Sequence, residues 1–260
     1  MSMIEADSPG AEPRLALPAR RCPAGAGWSW IVHGWRLFAR APLMWILAVL
    51  VWVVIAVVVN FLPIVGGLVF QAVNGAIAAG FIVACRSIER GGEFELEHLF
   101  AGFRDRFVSL LVVGLIVMAG YVAIFLVFGM SFGFSILGAL MTGDPNTIAS
   151  SIMASALTLA LGGLVALALT IPLMAAFWFA PALVIMHGLG PVQAMKESFV
   201  GCMRNWIPFL VWSVVMTIFA IVAALPVLLG YLVWIPLAIA STYAAYRDIY
   251  TEREPDAPFA

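Results

Sequence analysis

Long apolar stretches recur along the chain, and short segments that hold the charged residues separate them. A helix needs about 20 apolar residues to cross the hydrocarbon core of a bilayer. No Asp, Glu, Lys or Arg lies within any of these stretches, which is what burial in lipid favours. We therefore predict six transmembrane helices, over about residues 43–62, 65–85, 107–130, 155–180, 207–225 and 227–246.

The segments between neighbouring stretches predict how the helices pair. Residues 62–67 read Leu-Pro-Ile-Val-Gly-Gly, and Leu225-Pro226 follows the fifth stretch, so both turns are short enough only for a helical hairpin. A longer apolar excursion, interrupted at residues 142–146, joins the third and fourth stretches. Residues 130–155 are expected either to form an outer in-plane helix or to extend the two spans.

A shared pattern precedes the odd-numbered spans. An aromatic residue lies five positions before an arginine in Trp35 to Arg40 and in Phe199 to Arg204, and an apolar stretch follows both. Within residues 28–40, Trp28, Ile31, Trp35 and Phe38 form one apolar stripe of a helix, as in helices that lie in the membrane interface. The predicted fold is therefore an all-α membrane protein of three hairpins, with cytoplasmic amphipathic in-plane helices before spans 1, 3 and 5.

The distribution of basic residues predicts the orientation. All 13 lysines and arginines fall on one side of the six-span map, and the loops on the opposite side carry only Asp144 as a charged residue. Basic residues close to the spans are retained in the cytoplasm during insertion. We therefore expect a multi-pass protein of the bacterial inner membrane, with the N-terminus and the C-terminus both cytoplasmic.

Composition narrows the class of protein further. Hydrophobic residues make up 64% of the 260 residues and charged residues 10%, whereas soluble domains average about 45–50% and about 25%. The formal net charge of −1 provides no basic field that would attract nucleic acid. Residues 1–27, with many prolines and glycines, are predicted to be a disordered cytoplasmic tail, 28–250 the transmembrane domain, and 251–260 a second cytoplasmic tail.

Few polar side chains lie inside the predicted spans. Asn60 stands at the outer end of span 1, and Gln71 and Asn74 make span 2 the most polar. Two interpretations stay open: these residues line a polar substrate site, or they form the interhelical hydrogen bonds that are their commoner use. No catalytic motif, phosphate loop or metal-ligand spacing accompanies them, so the sequence predicts no enzyme, no cofactor and no metal.

Basic residues at the predicted membrane surface are the candidates for binding lipid headgroups. Arg40, Arg106, Arg204 and Arg247 each stand where an apolar stretch meets a cytoplasmic segment. The acidic run 89–97 is either a docking loop for an unidentified protein at the cytoplasmic face or a solvated loop. The expected partners are therefore membrane lipids and, if the acidic run is a docking loop, an unidentified protein at the cytoplasmic face.

Several short segments carry a family resemblance: Phe177 to Val184, Gly190-Pro191, Ala194 to Ser198, Arg204-Asn205, Leu225-Pro226 and Tyr246-Arg247-Asp248. In these segments the chain resembles an uncharacterised beta-proteobacterial family of six-span inner-membrane proteins. More distantly, the layout is similar to YciC-like proteins and to the membrane domain attached to some glycerophosphodiester phosphodiesterases. The resemblance implies a six-helix membrane fold and no established activity. The catalytic residues of those phosphodiesterase domains have no counterpart in these segments and are not carried over.

Two functional hypotheses follow from these observations. The first is a non-enzymatic membrane protein that acts as a scaffold or binds lipid at its in-plane helices. The alternative is a small-molecule or lipid permease with a pathway past Gln71 and Asn74. An intramembrane enzyme ranks below both, because the spans offer no pairing of a nucleophile with a base.

Overall fold

The computed structural model describes residues 14–62, 65–142 and 145–252, and these residues are helical apart from loops and one isolated β-bridge. A short 3₁₀ helix at Leu96–Phe100 lies between the third and fourth α-helices. The α-helices are α1 Ala26–Arg40, α2 Pro42–Asn60, α3 Val65–Glu89, α4 Ala101–Asp105, α5 Phe107–Thr142, α6 Pro145–Trp178, α7 Ala180–His187, α8 Pro191–Arg204, α9 Trp206–Ala224 and α10 Tyr231–Tyr250.

Five helical segments in the described residues are long and apolar enough to cross a membrane. α10 has a suitable length of 20 residues, but it carries Arg247, Asp248 and four tyrosines, and it does not reach the same hydropathy. The prediction of an all-α fold is confirmed for the described residues, and several of the helices are long and apolar enough to cross a membrane. The five segments are Pro42–Asn60, Val65–Glu89, Phe107–Val127, Ala160–His187 and Trp206–Ala224.

The packed core lies toward one end of the helix bundle, where α3 and α10 finish and α2, α5 and α9 begin. We call this the basic end, because the arginines between the spans lie there. α3 is the central helix: 56% of its most apolar stretch is buried, against 6% to 22% for the other four segments. Large side chains of α1, α2 and α10 complete the core, including Trp30, Trp45, Tyr243, Tyr246 and Tyr250.

The bounds of α5 and α6 decide between the two predictions for residues 130–155, a separate in-plane helix or an extension of the two spans. α5 continues without a break through Thr142, and α6 begins at Pro145, so the extra residues extend the two helices and do not form a separate in-plane helix. At about 1.5 Å per residue, the 36 residues of α5 span about 54 Å. The hydrocarbon core measures about 30 Å, so this hairpin is much longer than one crossing requires.

A one-residue break in the helix precedes each of α2, α5 and α9. The backbone angles at the break are similar in all three cases: φ −147° and ψ 54° at Ala41, φ −141° and ψ 31° at Arg106, and φ −116° and ψ 28° at Asn205. The repeat inferred from Arg40 and Arg204 therefore has a local counterpart in the middle unit. That unit differs in its entry, because a 3₁₀ helix and the five-residue α4 take the place of a longer helix such as α1 or α8.

Proline and glycine mark several helix ends. Pro42, Pro145 and Pro191 occupy the first position of their helices, where a missing N–H costs nothing and the fixed φ suits a helix. Gly188 ends α7 with φ +64°, a left-handed conformation that a residue with a Cβ rarely adopts. Gly188 and Pro191 lie in the short turn that joins α7 to α8.

The N-terminal segment differs from the sequence prediction of disorder over residues 1–27. Residues 14–22, which we call the strap, lie across the basic end and join the last turn of α10: Ala16 N donates to Tyr250 O at 2.8 Å, and Arg20 N donates to Ile249 O at 2.9 Å. Leu15 forms an antiparallel bridge with Thr251. The strap is ordered because its backbone groups find partners at the helix ends; residues 1–13 and 253–260 lie outside the described residues.

Glycines allow helix backbones to approach closely at two main contacts. Gly34 of α1 lies against the backbone of Ser241 in α10, and Gly114 of α5 lies against the carbonyl group of Ala72 in α3. In both places a Cβ would overlap backbone atoms of the facing helix. Small residues commonly serve this purpose between membrane helices, because lipid offers no hydrophobic drive for helix association.

Candidate lipid-headgroup site at the basic end

Two of the predicted headgroup arginines end the helices that precede α2 and α9. Arg40 is the last residue of α1, and its Nη1 donates to Ile88 O at 3.0 Å. Arg204 is the last residue of α8, and its Nη1 donates to Ala19 O at 3.0 Å. Both residues are exposed, and a guanidinium has five N–H donors, so each can hold its protein partner and still donate outward.

Arg106 lies one position further along at the corresponding junction of the middle unit. It is the break residue before α5, and it is exposed. Its guanidinium lies over Gly188 at the turn between α7 and α8, where a Cβ would lie 2.8 Å from Nη2. Arg106 therefore joins Arg40 and Arg204 among the exposed cations of the basic end.

Arg247 differs from the other three candidates. Its Nη1 donates to Glu89 Oε2 at 2.7 Å, and the Tyr243 hydroxyl donates to the same oxygen at 2.6 Å. The side chains of Arg247 and Glu89 are only 19% and 22% exposed. This ion pair links α10 to the end of α3, so Arg247 has a partner within the protein before any lipid is considered.

A second contact extends this link to α7. The Tyr246 hydroxyl and His187 Nε2 lie 2.7 Å apart, and Arg86 Nη1 lies 3.5 Å from the sulfur of Met186. The basic end is thus tied together by polar side chains from three helices. Such buried polar networks favour one arrangement of the elements that they join.

The strap is fixed to the start of α9 by Asn205, which is fully buried. Its amide donates to Arg20 O at 2.8 Å and to Gly201 O at 2.9 Å, and its oxygen accepts from Cys22 N at 2.7 Å. One side chain therefore bonds both to the backbone of the strap and to the backbone of α8. Arg204, next in sequence, completes the attachment through its bond to Ala19.

Ser198 of α8 completes the join between α6 and α7. It is fully buried; its hydroxyl donates to Ala175 O at 2.7 Å and accepts from Phe179 N at 2.9 Å. The hydroxyl therefore stands between two backbone groups that would bond directly in a continuous helix. A side chain inserted in this way is a recognised cause of a helix break.

Cys202 offers no reactive thiol at this site. All three cysteines of the chain are free thiols, and burial raises the pKa of the Cys202 thiol to about 12. A thiol with so high a pKa has very little thiolate at neutral pH, and the thiolate is the nucleophile. The basic end therefore presents exposed arginines and no activated thiol at Cys202.

The intramembrane polar candidates lie away from the basic end. Asn60, at the last turn of α2, is exposed and donates to Ala56 O of its own helix at 2.8 Å. Gln71 and Asn74 are half-buried on α3 and, three residues apart, share one face of that helix. The structure thus places the two sets of candidate residues in different parts of the bundle.

Sequence reasoning missed the residues that hold the basic end together. The sequence predicts Glu89 to belong to the acidic loop 89–97, whereas it is the last residue of α3 and pairs with Arg247. Asn205 and Ser198 carried no functional interpretation. One signal was available for Asn205: a small polar residue directly follows an arginine and precedes a long apolar stretch, as expected at a helix junction.

The fold defines a class, that of helical membrane proteins that cross the bilayer several times. Among characterised sequences, the chain is 29% identical over 257 residues to a protein of Burkholderia thailandensis named as a probable inner membrane protein, and the alignment covers 90% of this chain and 94% of that one. No family profile and no solved structure matches the chain. The distant resemblance to YciC-like proteins and phosphodiesterase membrane domains stays a prediction.

Proposed function

We propose that the chain is a non-enzymatic protein of the bacterial inner membrane that binds anionic lipid headgroups at its basic end. The main support is the placement of Arg40 and Arg204. Both are exposed at equivalent helix junctions, and a hydrogen bond to a backbone carbonyl anchors each of them to the protein. An arginine near the membrane surface attracts anionic lipid with about 1 kcal/mol. The name of the Burkholderia relative supports the location in the inner membrane.

The proposal includes six spans arranged as three hairpins, with both ends in the cytoplasm. Support comes from the bridge between Leu15 and Thr251, because two residues in contact lie on the same side of a membrane. The number of crossings between them is then even, whereas five segments meet the criteria for a span. α10 supplies the sixth, since its 20 residues extend about 30 Å, the thickness of the hydrocarbon core.

Reporter fusions test this topology. Alkaline phosphatase fused after residue 144 is expected to be active, because it would be exported, whereas the same enzyme fused after residue 260 is expected to be inactive. Green fluorescent protein fused at the same two positions serves as the matched control and should give the opposite pattern. An active phosphatase at residue 260 would contradict the cytoplasmic C-terminus.

Lipid retention tests the role of the two arginines. The double variant Arg40→Ala/Arg204→Ala should retain about tenfold less phosphatidylglycerol after purification, because each guanidinium contributes to attracting the anionic headgroup. Native mass spectrometry of the detergent-solubilised protein measures the bound lipid.

The matched control for this experiment is Arg40→Lys/Arg204→Lys, which preserves the charge and should retain most of the lipid. Thermal unfolding is followed in parallel, because the alanine variants also lose the bonds to Ile88 and Ala19. Equal lipid content in the wild type and in a folded alanine variant would refute headgroup binding at these positions.

A permease is the second candidate, and one observation favours it. Gln71 and Asn74 share a face of α3, the most buried of the candidate spans. Solute flux into reconstituted vesicles that Gln71→Leu abolishes would support this alternative. Equal flux in wild-type and Gln71→Leu vesicles would leave lipid binding as the better explanation of the site.

A further inference from the structure

An apolar groove of about 570 Å³ lies between α1 and the hairpin of α9 and α10. α1 forms one wall, and the groove continues along the other two helices toward the turn that joins them. Ligand sites commonly have volumes of about 300–1,000 Å³. Its lining residues are Trp28, Ile31, Val32, Trp35, Phe219, Val222, Ala223, Pro226, Gly230, Val233, Trp234 and Leu237.

The groove offers a ligand almost no polar group. The one indole N–H that α10 contributes, that of Trp234, donates to Met216 O at 2.8 Å and is therefore already used within the protein. The outer surface of α9 beside the groove is also apolar and exposed, as Val214 and Ile218 show. In a membrane protein such a surface faces acyl chains, so hydrocarbon is the chemistry that this groove accepts.

The wall that α1 contributes has the character of a membrane interface. Trp28 and Trp35 line the groove and are about half exposed. Tryptophan prefers the level of the headgroups, where its ring is apolar and its N–H is wet. The α1 wall therefore carries side chains suited to the level of the headgroups, and the groove extends from it along α9 and α10 to the turn at Pro226 and Gly230.

An arginine shares a side of α1 with one of the lining residues. Arg36 is exposed and lies one helical turn after Val32, so these two side chains are neighbours on the helix surface. Within the described ranges, Arg36 forms no ion pair or hydrogen bond with another side chain. A fixed positive charge at the mouth of a hydrocarbon groove is complementary to an anionic phospholipid.

We propose that this groove binds an acyl chain of one anionic phospholipid, with Arg36 holding its phosphate group. The inference rests on the proposed function as a lipid-binding protein and adds a defined site to it. It requires residues of α1, α9 and α10 and makes no use of Arg40 or Arg204. The two proposals therefore fail independently.

Photo-crosslinking tests the groove with the intact protein in vesicles of phosphatidylcholine that contain one-tenth phosphatidylglycerol with a diazirine on its acyl chain. Peptide mapping should find the label concentrated on α1, α9 and α10. Val222→Trp fills the groove and should reduce this labelling several-fold. Val214→Trp is the matched control, because Val214 lies on the same helix, is similarly exposed and does not line the groove.

A separate variant tests whether Arg36 holds the phosphate group of the lipid. Arg36→Gln should lower the labelling of the groove by phosphatidylglycerol about fivefold, the scale of one basic side chain at the membrane surface, and should leave labelling by a diazirine phosphatidylcholine unchanged. In the double variant Arg40→Ala/Arg204→Ala, groove labelling should persist. Persistence there with normal total lipid retention would refute the Arg40 and Arg204 proposal alone.

Three outcomes would overturn the groove proposal. Label spread evenly over exposed apolar faces, such as Val54 and Val57 of α2, would show ordinary surrounding lipid only. Equal effects of Val222→Trp and Val214→Trp would remove the groove as the cause. Protein–protein crosslinks between peptides of the groove, with a dimer that excludes the lipid label, would identify a second copy of the chain as the occupant.

Discussion

Gly114→Ala is expected to destabilise the protein by about 2–3 kcal/mol, which is large for the addition of one methyl group. Gly114 lets α5 approach the backbone of α3 at Ala72, and the new Cβ would overlap the Ala72 carbonyl oxygen. Backbone atoms of a central helix have little room to move, so α5 must shift outward along the contact. The free energy of unfolding, measured by titration with SDS in mixed micelles, reports the loss.

Gly163→Ala provides the matched control for this experiment. It makes the same substitution in the interior of α6, but nothing lies within 4 Å of a Cβ at Gly163. Alanine has a higher helix propensity than glycine by about 1 kcal/mol, so this variant should be neutral or slightly more stable. Equal destabilisation by the two substitutions would mean that the approach of α5 to α3 is not what Gly114 provides.

Asn205→Leu is expected to lower the free energy of unfolding by about 3 kcal/mol and to release the strap. The side chain is fully buried, and its loss removes the hydrogen bonds to Cys22 N–H and to Arg20 C=O. Each buried polar group left unpaired costs about 1–3 kcal/mol. Hydrogen exchange of residues 14–22 should become much faster, while exchange in the middle of α3 should change little.

Asn60→Leu is the matched control for Asn205. It removes the same functional group, but Asn60 is exposed at the end of α2 and bonds only within its own helix. An exposed substitution of this kind should alter stability by less than about 0.5 kcal/mol. Unchanged protection of residues 14–22 in Asn205→Leu would contradict the role of this amide in fixing the strap.

The helices could be predicted from the sequence because lipid imposes a simple requirement on composition. The ends of α2 and α9 fall within two residues of the predicted spans at 43–62 and 207–225. The predicted start of α10 was less accurate. This helix begins at Tyr231 and not at 227, after a turn in which Val227 and Leu228 adopt positive φ.

The polar contacts of the basic end could not be predicted in the same way. They join residues far apart in the chain, such as Glu89 with Arg247 and Asn205 with Cys22, and periodicity gives no information about such pairs. The sequence predicts the exposure of Arg40 and Arg204, because each stands where an apolar stretch meets a cytoplasmic segment. Their bonds to the Ile88 and Ala19 carbonyls depend on tertiary packing.

The strap also constrains the order in which parts of the protein fold. Residues 14–22 leave the ribosome early, but their partners in the last turn of α10 are synthesised more than 200 residues later. A contact with so large a sequence separation forms late, because the intervening chain must be ordered first. Closure of the strap is therefore a final step that follows membrane insertion, and a chain truncated before Tyr250 would leave this segment without its acceptors.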